Sequence, residues 1–216
     1  MRVRPGSVVP MWVKVCGLSE PSSVAAAVEA GADAIGFVFA PGSPRTVEPE
    51  IVASLVADVP EHVLTVGVFR RQSVEEVSRI AGEAGVQAVQ LHGDEPPEAF
   101  HELQAMGWRT LRATSAVRYA SQNAAERAAF AEELLLLDAP DPGVGKTFDT
   151  IALTANPPTR TWILAGGLTP ANVAGLVAEL RPWGVDVSSG VESSRGVKSP
   201  ELIRSFVHAA RTARAV

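Results

Sequence analysis

Val63-Leu64-Thr65-Val66-Gly67-Val68-Phe69, followed by Ser73-Val74-Glu75-Glu76-Val77-Ser78-Arg79-Ile80-Ala81 and then by Ala88-Val89-Gln90-Leu91-His92, decides the fold class. The first run is apolar at successive positions instead of alternating, so both faces of the strand it predicts are buried, as in a parallel sheet covered by helices. The middle run has helical spacing, and Ser73 with Glu76 three residues on predicts a capping box at its start. The third run is a second strand. A strand, a helix and a strand in so short a stretch predict a parallel crossover unit.

The same unit recurs in both directions. Strands are predicted at 12–16, 34–39, 63–69, 88–92, 108–113, 134–138, 161–165 and 185–188. Helices are predicted near 21–30, 48–58, 73–84, 96–106, 118–130, 170–180 and 199–213, with a weaker one near 148–154. Thr169-Pro170 and Ser199-Pro200 each place a capping hydroxyl before a proline, which marks two helix starts. Eight units leave about 27 residues each, with no linker rich in Pro, Gly or Ser between them, and this predicts a single (β/α)8 TIM barrel over 12–216. Residues 1–11 are read as a flexible N-terminal extension. An open doubly wound sheet is the competitor, but it calls for G-x-G-x-x-G after the first strand, where this chain has Cys16-Gly17-Leu18-Ser19.

Composition narrows the function. With 46% hydrophobic residues the chain buries a full core, and a net charge of -5 with a pI near 5.4 supplies no basic field for DNA or RNA. The single cysteine, Cys16, excludes an internal disulfide and a cysteine-rich metal site. The N-terminus lacks the apolar core of a signal peptide, and no run reaches the roughly 18 apolar residues that span a bilayer. The expectation is a cytoplasmic protein with no membrane or nucleic-acid partner.

In a barrel of this kind chemistry gathers at the C-terminal ends of the strands. Cys16 ends strand one, Gln90 and His92 end strand four, Asp138 ends strand six, and Asp186 lies in strand eight before Ser188-Ser189-Gly190. Residues two apart share a face, so Lys14 accompanies Cys16, and because strands one and eight are neighbours Lys14 can meet Asp186 inside the barrel. Asp186 is left equally open to touching a ligand. His92 reads as a structural group or a ligand contact in preference to an acid or base. The loops after strands seven and eight, with Gly166-Gly167 and Ser189-Gly190, have the small residues that let backbone N–H groups approach a phosphate. Gly145-Lys146-Thr147 is not a P-loop, since Pro140 stands where the first glycine is required.

Taken in order, Lys14-Val15-Cys16-Gly17, Gly31-Ala32-Asp33-Ala34-Ile35-Gly36-Phe37-Val38-Phe39, Ser43-Pro44-Arg45, Val66-Gly67-Val68-Phe69, Val89-Gln90-Leu91-His92-Gly93-Asp94, Gly145-Lys146-Thr147-Phe148-Asp149, Leu164-Ala165-Gly166-Gly167-Leu168 and Val185-Asp186-Val187-Ser188-Ser189-Gly190-Val191-Glu192 resemble the phosphoribosylanthranilate isomerases of tryptophan biosynthesis. The resemblance runs from about residue 12 to the C-terminus, and Met11 stands where family members often begin. It implies a cofactor-free Amadori rearrangement of N-(5-phosphoribosyl)anthranilate, a small phosphosugar substrate, and a monomer or homodimer. It implies Cys16 as general base, Asp138 as general acid, Arg45 as the contact to the anthranilate carboxylate, and Asp186 close to the reacting atoms. Opening the furanose puts charge on the ring oxygen, so an acid must deliver a proton, which Asp138 can do only if apolar surroundings such as the Leu134 to Leu137 run favour its protonated form. A free thiol is only a few per cent ionised at neutral pH, so a positive charge, from Lys14 or from the protonated imine itself, would favour the thiolate. The strand-six loop departs from the family's G-G-[ST]-G-K-T-F-D-W, reading Pro142-Gly143-Val144-Gly145-Lys146-Thr147-Phe148-Asp149-Thr150.

Two other readings remain. A related phosphosugar isomerase of histidine biosynthesis carries an aspartate at the end of strand one, where this chain has Cys16. A noncatalytic phosphosugar-binding barrel needs neither Cys16 nor Asp138, and both are present.

Overall fold

The computed structural model describes residues 11–138 and 158–213. Eight parallel strands close into a barrel in chain order: β1 (Trp12–Cys16), β2 (Ala34–Val38), β3 (Leu64–Phe69), β4 (Ala88–Leu91), β5 (Arg109–Ser115), β6 (Leu134–Asp138), β7 (Trp162–Ala165) and β8 (Gly184–Val187). The closing pair, β1 with β8, sets Lys14 opposite Asp186. The helices are α1 (Pro21–Glu29), α2 (Pro49–Val56), α3 (Val74–Ala84), α4 (Pro97–Ala105), α5 (Ala116–Ser121), α6 (Ala124–Ala128), α7 (Val173–Leu180) and α8 (Pro200–Thr212). Among the described residues no helix is long and apolar enough to cross a membrane.

Both faces of the strands are buried, which is why the strand runs do not alternate. The outward side chains of Val13, Val15, Ile35 and Phe37 share one core with helix residues such as Val24, Ile203 and Phe206. The inward ones stack inside the barrel: Ala34, Val66, Ala88 and Leu111 pack together, and so do Ala113, Leu136, Ile163 and Ala165. Trp12 touches both groups and stacks on Trp183 at 5.2 Å, filling the N-terminal end. The opposite end carries the smaller cluster Cys16, Val38, Ala40 and Val68. Helix α8 shows how a sequence signal becomes packing. Ser199 caps it by accepting the Leu202 N–H, Pro200 opens it, and Ile203, Phe206, Val207 and Ala210 recur on one face that is wholly buried. Burial of one such large side chain is worth about 1.5–3 kcal/mol.

Several expectations are corrected. At α3 Ser73 accepts the Glu76 N–H at 3.2 Å, but the Glu76 side chain does not accept the Ser73 N–H in return, so the expected capping box is only half formed. The helix expected near 118–130 is two short helices, because Gln122 turns extended (ψ 140°) and Asn123 caps a new start by accepting the N–H groups of Ala125 and Glu126 at 2.9 and 3.0 Å. Glu126 accepts the Asn123 N–H in return at 2.7 Å, and these local bonds outcompete a continuous helix. The helix expected from 170 begins instead at Val173, since Thr169 and Asn172 exchange side-chain bonds to each other's N–H at 3.3 and 2.7 Å and hold a turn before it. Beyond β8 the chain forms a short 3-10 turn, Ser189–Val191, and an antiparallel hairpin of β9 (Glu192–Ser194) and β10 (Val197–Lys198), neither of which was expected. Met11, assigned above to the extension, is buried, and its carbonyl accepts from Arg211 Nη1. Residues 1–10, the weak helix near 148–154 and the Gly145-Lys146-Thr147 string lie outside the described residues.

Candidate active site

A cavity of about 600 Å³ opens at the C-terminal ends of the strands. Every candidate catalytic or ligand-contacting residue except Gly190 lines it. The strand ends place them: Cys16 closes β1, Asp138 closes β6, His92 follows β4, and Asp186 projects from β8.

Behind the cavity-lining Asp186, wholly buried Lys14 donates from Nζ to Asp186 Oδ1 at 3.0 Å. The ion pair anticipated from strand adjacency is therefore formed. Burial works against both charges, but the Asp186 contact and the nearby Cys16 keep the Lys14 ammonium above its ordinary value. Cys16 is 6% exposed. Burial pushes its thiol up; Lys14 and Lys198 pull it down, Asp186 adds to the rise, and the balance is upward. Lys14 is thus not enough to hold a resting thiolate. Its charge is shared with Asp186, and burial outweighs what remains.

Across the cavity Asp138 meets His92, Oδ2 to Nε2 at 3.2 Å, with the Asp138 side chain 17% exposed and that of His92 43%. His92 therefore orients the carboxyl group that projects from β6. Gln90, below His92 on the same face, lines the cavity with its side-chain oxygen buried and unpaired among the described residues. A buried acceptor in that state needs a donor, and a bound ligand or water supplies one.

The two glycine loops touch. Gly167 holds φ +65°, and Asn172 Nδ2 donates to its carbonyl at 2.9 Å. Gly190 comes so close to Leu168 that a Cβ there would sit 1.7 Å from the Leu168 carbonyl oxygen, which leaves glycine as the residue that fits. The N–H groups of Gly167, Ser189 and Gly190 donate to no described residue. Free amides on two abutting loops are donors of the kind that holds a phosphate. Gly190 does not line the cavity itself; its part is to let the loops meet.

Arg45 reaches the cavity from the loop after β2, and its guanidinium is held from behind. Nε and Nη2 donate to Glu192 Oε1 and Oε2 at 2.6 and 3.0 Å. Glu192 also accepts from Lys198 Nζ at 2.9 Å and from the Gly196 N–H at 3.0 Å. Burial alone would raise the Glu192 carboxyl, but the Arg45, Gly196 and Lys198 contacts outweigh it and bring it down to about 2. Lys198 was not among the expected site residues, and Glu192 entered only as the last residue of a string. Neither has a periodic or motif signal of its own; the hairpin after β8 brings them here.

Known proteins resemble the chain over nearly its whole length. The family described as N-(5'phosphoribosyl)anthranilate (PRA) isomerase matches residues 13–209. The N-(5'-phosphoribosyl)anthranilate isomerase of Desulforudis audaxviator is 43% identical over 211 residues, which cover 93% of this chain and 98% of that protein. The crystal structure of TrpF from Jonesia denitrificans superposes with a TM-score of 0.84 at 46% identity, covering 94% of this chain and 98% of that one. A phosphoribosyl anthranilate isomerase crystallised with reduced 1-(o-carboxyphenylamino)-1-deoxyribulose 5-phosphate gives a TM-score of 0.78 at 35% identity, with 94% and 99% covered. With its closed barrel, the cysteine and aspartate facing one cavity and these relatives over nearly its whole length, the chain belongs to the N-(5'-phosphoribosyl)anthranilate isomerase family.

Proposed function

We propose that the chain, an isomerase of N-(5'-phosphoribosyl)anthranilate in tryptophan biosynthesis, works with Cys16 as general base and Asp138 as general acid. The observation that carries this reading is that the two groups, from β1 and β6, face one cavity whose rim is the pair of abutting glycine loops. The loops take the phosphate and Arg45 takes the anthranilate carboxylate, so the ribose is stretched between two fixed anchors. As general acid, Asp138 gives a proton to the furanose oxygen as the C1–O bond breaks, and the nitrogen lone pair forms the iminium. The Cys16 sulfur then takes the proton from C2, and the electron pair left behind flows through C1 to neutralise the nitrogen, giving the enol. Return of the Cys16 proton to C1, with loss of the enol proton to the Asp138 carboxylate, gives the ketone 1-(2-carboxyphenylamino)-1-deoxyribulose 5-phosphate. Both residues are restored and no cofactor is consumed.

The raised Cys16 thiol fits this order of events. Before substrate binds, the thiol is protonated and unreactive; the iminium brings a cation into a site where charges interact strongly, the thiol then gives its own proton to water in the open cavity, and it takes one back from water when the product leaves. Each acid or base step of this kind contributes about 10²–10⁴-fold. His92 meets the Asp138 carboxyl, and Asp186 lies against Lys14; burial pushes the Asp186 carboxyl up and the Lys14 ammonium opposes that rise. A cytoplasmic location and a monomeric or dimeric state belong to the same proposal. The experiment that tests it follows the fluorescence of phosphoribosylanthranilate, generated in situ, on addition of the folded protein. Disappearance of the signal at an enzymatic rate supports the reading, and a folded protein without turnover overturns it.

A further inference from the structure

We infer that Lys198 and Glu192, on the hairpin after β8, are positioning residues that aim Arg45 at the substrate's carboxylate and tie that anchor to the phosphate loop; this rests on the roles proposed above for Arg45 and Cys16. The geometry is that of a clamp. The Lys198 side chain is 2% exposed and that of Glu192 5%, so their contact is held away from water. Glu192 covers the Nε and Nη2 edge of Arg45 with both carboxylate oxygens, a planar fork that fixes the guanidinium and leaves Nη1 without a hydrogen-bond partner among the described residues. Lys198 Nζ holds Glu192 Oε1 at 2.9 Å and donates as well to the carbonyl and hydroxyl of Ser188 at 2.9 and 3.3 Å. Ser188 is the residue at which β8 turns into the phosphate loop. One ammonium therefore spans the two ends of the substrate site.

Charge count gives the clamp its purpose. Arg45 and Lys198 are two cations sharing the single carboxylate of Glu192, so the cluster carries a surplus positive charge, and Arg45 presents it to the cavity. A bound carboxylate neutralises it. The cluster also lies beside the base. A Cβ on Gly17, the residue after Cys16, would be 2.7 Å from Arg45 Cδ, 3.2 Å from Ser188 Oγ and 3.4 Å from Lys198 Nζ. The charged groups acting on the Cys16 thiol are Lys14 from β1, Asp186 from β8 and Lys198 from β10; those acting on Lys198 are Glu192, Cys16 and Arg45. Removal of the Lys198 charge takes away one of the two cations that favour the thiolate.

The test uses the full chain with Lys198→Met, Lys198→Arg and Glu192→Gln, each checked by thermal melting. Glu192→Gln should raise KM at least tenfold with a smaller change in kcat. Lys198→Met should raise KM similarly, weaken binding of inorganic phosphate, and move both the ascending limb of kcat/KM, where the base loses its proton, and the pH profile of Cys16 alkylation by iodoacetamide to higher pH. Lys198→Arg should recover most of the KM and the profile. A hairpin of purely structural importance would lower the melting temperature and leave both pH profiles in place, and that result overturns the inference. Where Lys198→Met fails to fold, the near-isosteric Glu192→Gln decides the matter: an unchanged KM in that folded variant also overturns it. The outcomes separate from those of the proposed function. Retained turnover in Cys16→Ser would remove the chemistry assigned above, whereas an inactive Cys16→Ser beside unaltered KM and pH profiles in the hairpin variants would remove only the clamp.

Discussion

Replacing Gly190 with alanine should abolish the phosphate grip while leaving the barrel standing. The added Cβ would lie 1.7 Å from the Leu168 carbonyl oxygen, and non-bonded contacts of that kind begin near 3.0 Å, so the two loops must part by at least about 1.3 Å. Neither loop can swing away freely, because Leu168 and Val191 are both anchored in the main core. The displacement therefore falls on the cavity side, which Gly167 and Ser189 line and where the proposal has their N–H groups hold the phosphate. Lengthening an N–H to oxygen distance from about 2.9 Å by that amount removes the hydrogen bond. Hydrogen bonds to charged groups contribute about 1.5–3 kcal/mol each, so losing two weakens phosphate binding by about 10²–10⁴-fold. Calorimetric titration with inorganic phosphate should lose its signal, and KM for the substrate should rise at least tenfold, with the melting curve reporting whether the barrel is intact. Gly167 offers a contrast in mechanism: a Cβ there meets nothing within 4 Å, but φ +65° is a conformation that a β-branched side chain resists. Gly167→Val should weaken phosphate and substrate together by an amount set by backbone strain of about 1–3 kcal/mol. Unchanged phosphate affinity in folded Gly190→Ala would refute the reasoning and place the anion elsewhere.

Cys16→Ser should fold and lose turnover by about 10²-fold or more while keeping its phosphate affinity, as measured by steady-state kinetics beside calorimetry, because the hydroxyl is a far poorer base; near-normal turnover would remove Cys16 from the mechanism. Asp138→Asn keeps the shape of the side chain and removes the transferable proton, so turnover should fall comparably with product affinity largely kept, and a loss confined to affinity would reassign Asp138 to binding. Glu192, with a carboxyl lowered from 4.5 to about 2, contributes stability that is fully present above its ordinary value and is lost as pH falls through about 2. Urea unfolding should show Glu192→Gln less stable than the parent at pH 6 by a few kcal/mol, with the gap closing as pH is lowered from about 4.5 toward 2; a gap independent of pH would mean that the carboxylate charge is not what holds the cluster.

Much of this protein is decided by short-range signals. Strands apolar on both faces, capping hydroxyls before prolines and glycines at strand ends all act within a few residues along the chain, and a barrel joins each strand to the next in sequence. Local backbone preference thus carries nearly the whole topology. The Lys14–Asp186 pair was legible for the same reason, since closure of the barrel makes strands one and eight neighbours and period two puts both side chains inside. Cys16 and Asp138 were legible because a strand end is a position in the sequence as well as in space.

Other features were decided only when distant segments met. The break in the helix expected over 118–130 is the exception: it is local, set by Asn123 and Glu126 side chains reaching backbone groups three residues away that a helical pattern leaves out of account. The meeting of Gly190 with Leu168 depends on how two loops settle over the barrel rim, and no property of either glycine announces it. Arg45 and Glu192 are 147 residues apart in sequence, and the hairpin that joins them with Lys198 carries no periodicity to mark it. The resting state of Cys16 is the furthest from the sequence, because it is a sum of burial and three charges carried by β1, β8 and β10. The sequence by itself determined which residues stand at which strand ends, through interactions that are local along the chain. Tertiary structure alone decided how those residues are charged, aimed and paired, because electrostatic and steric forces depend on distance in space and not on separation in sequence.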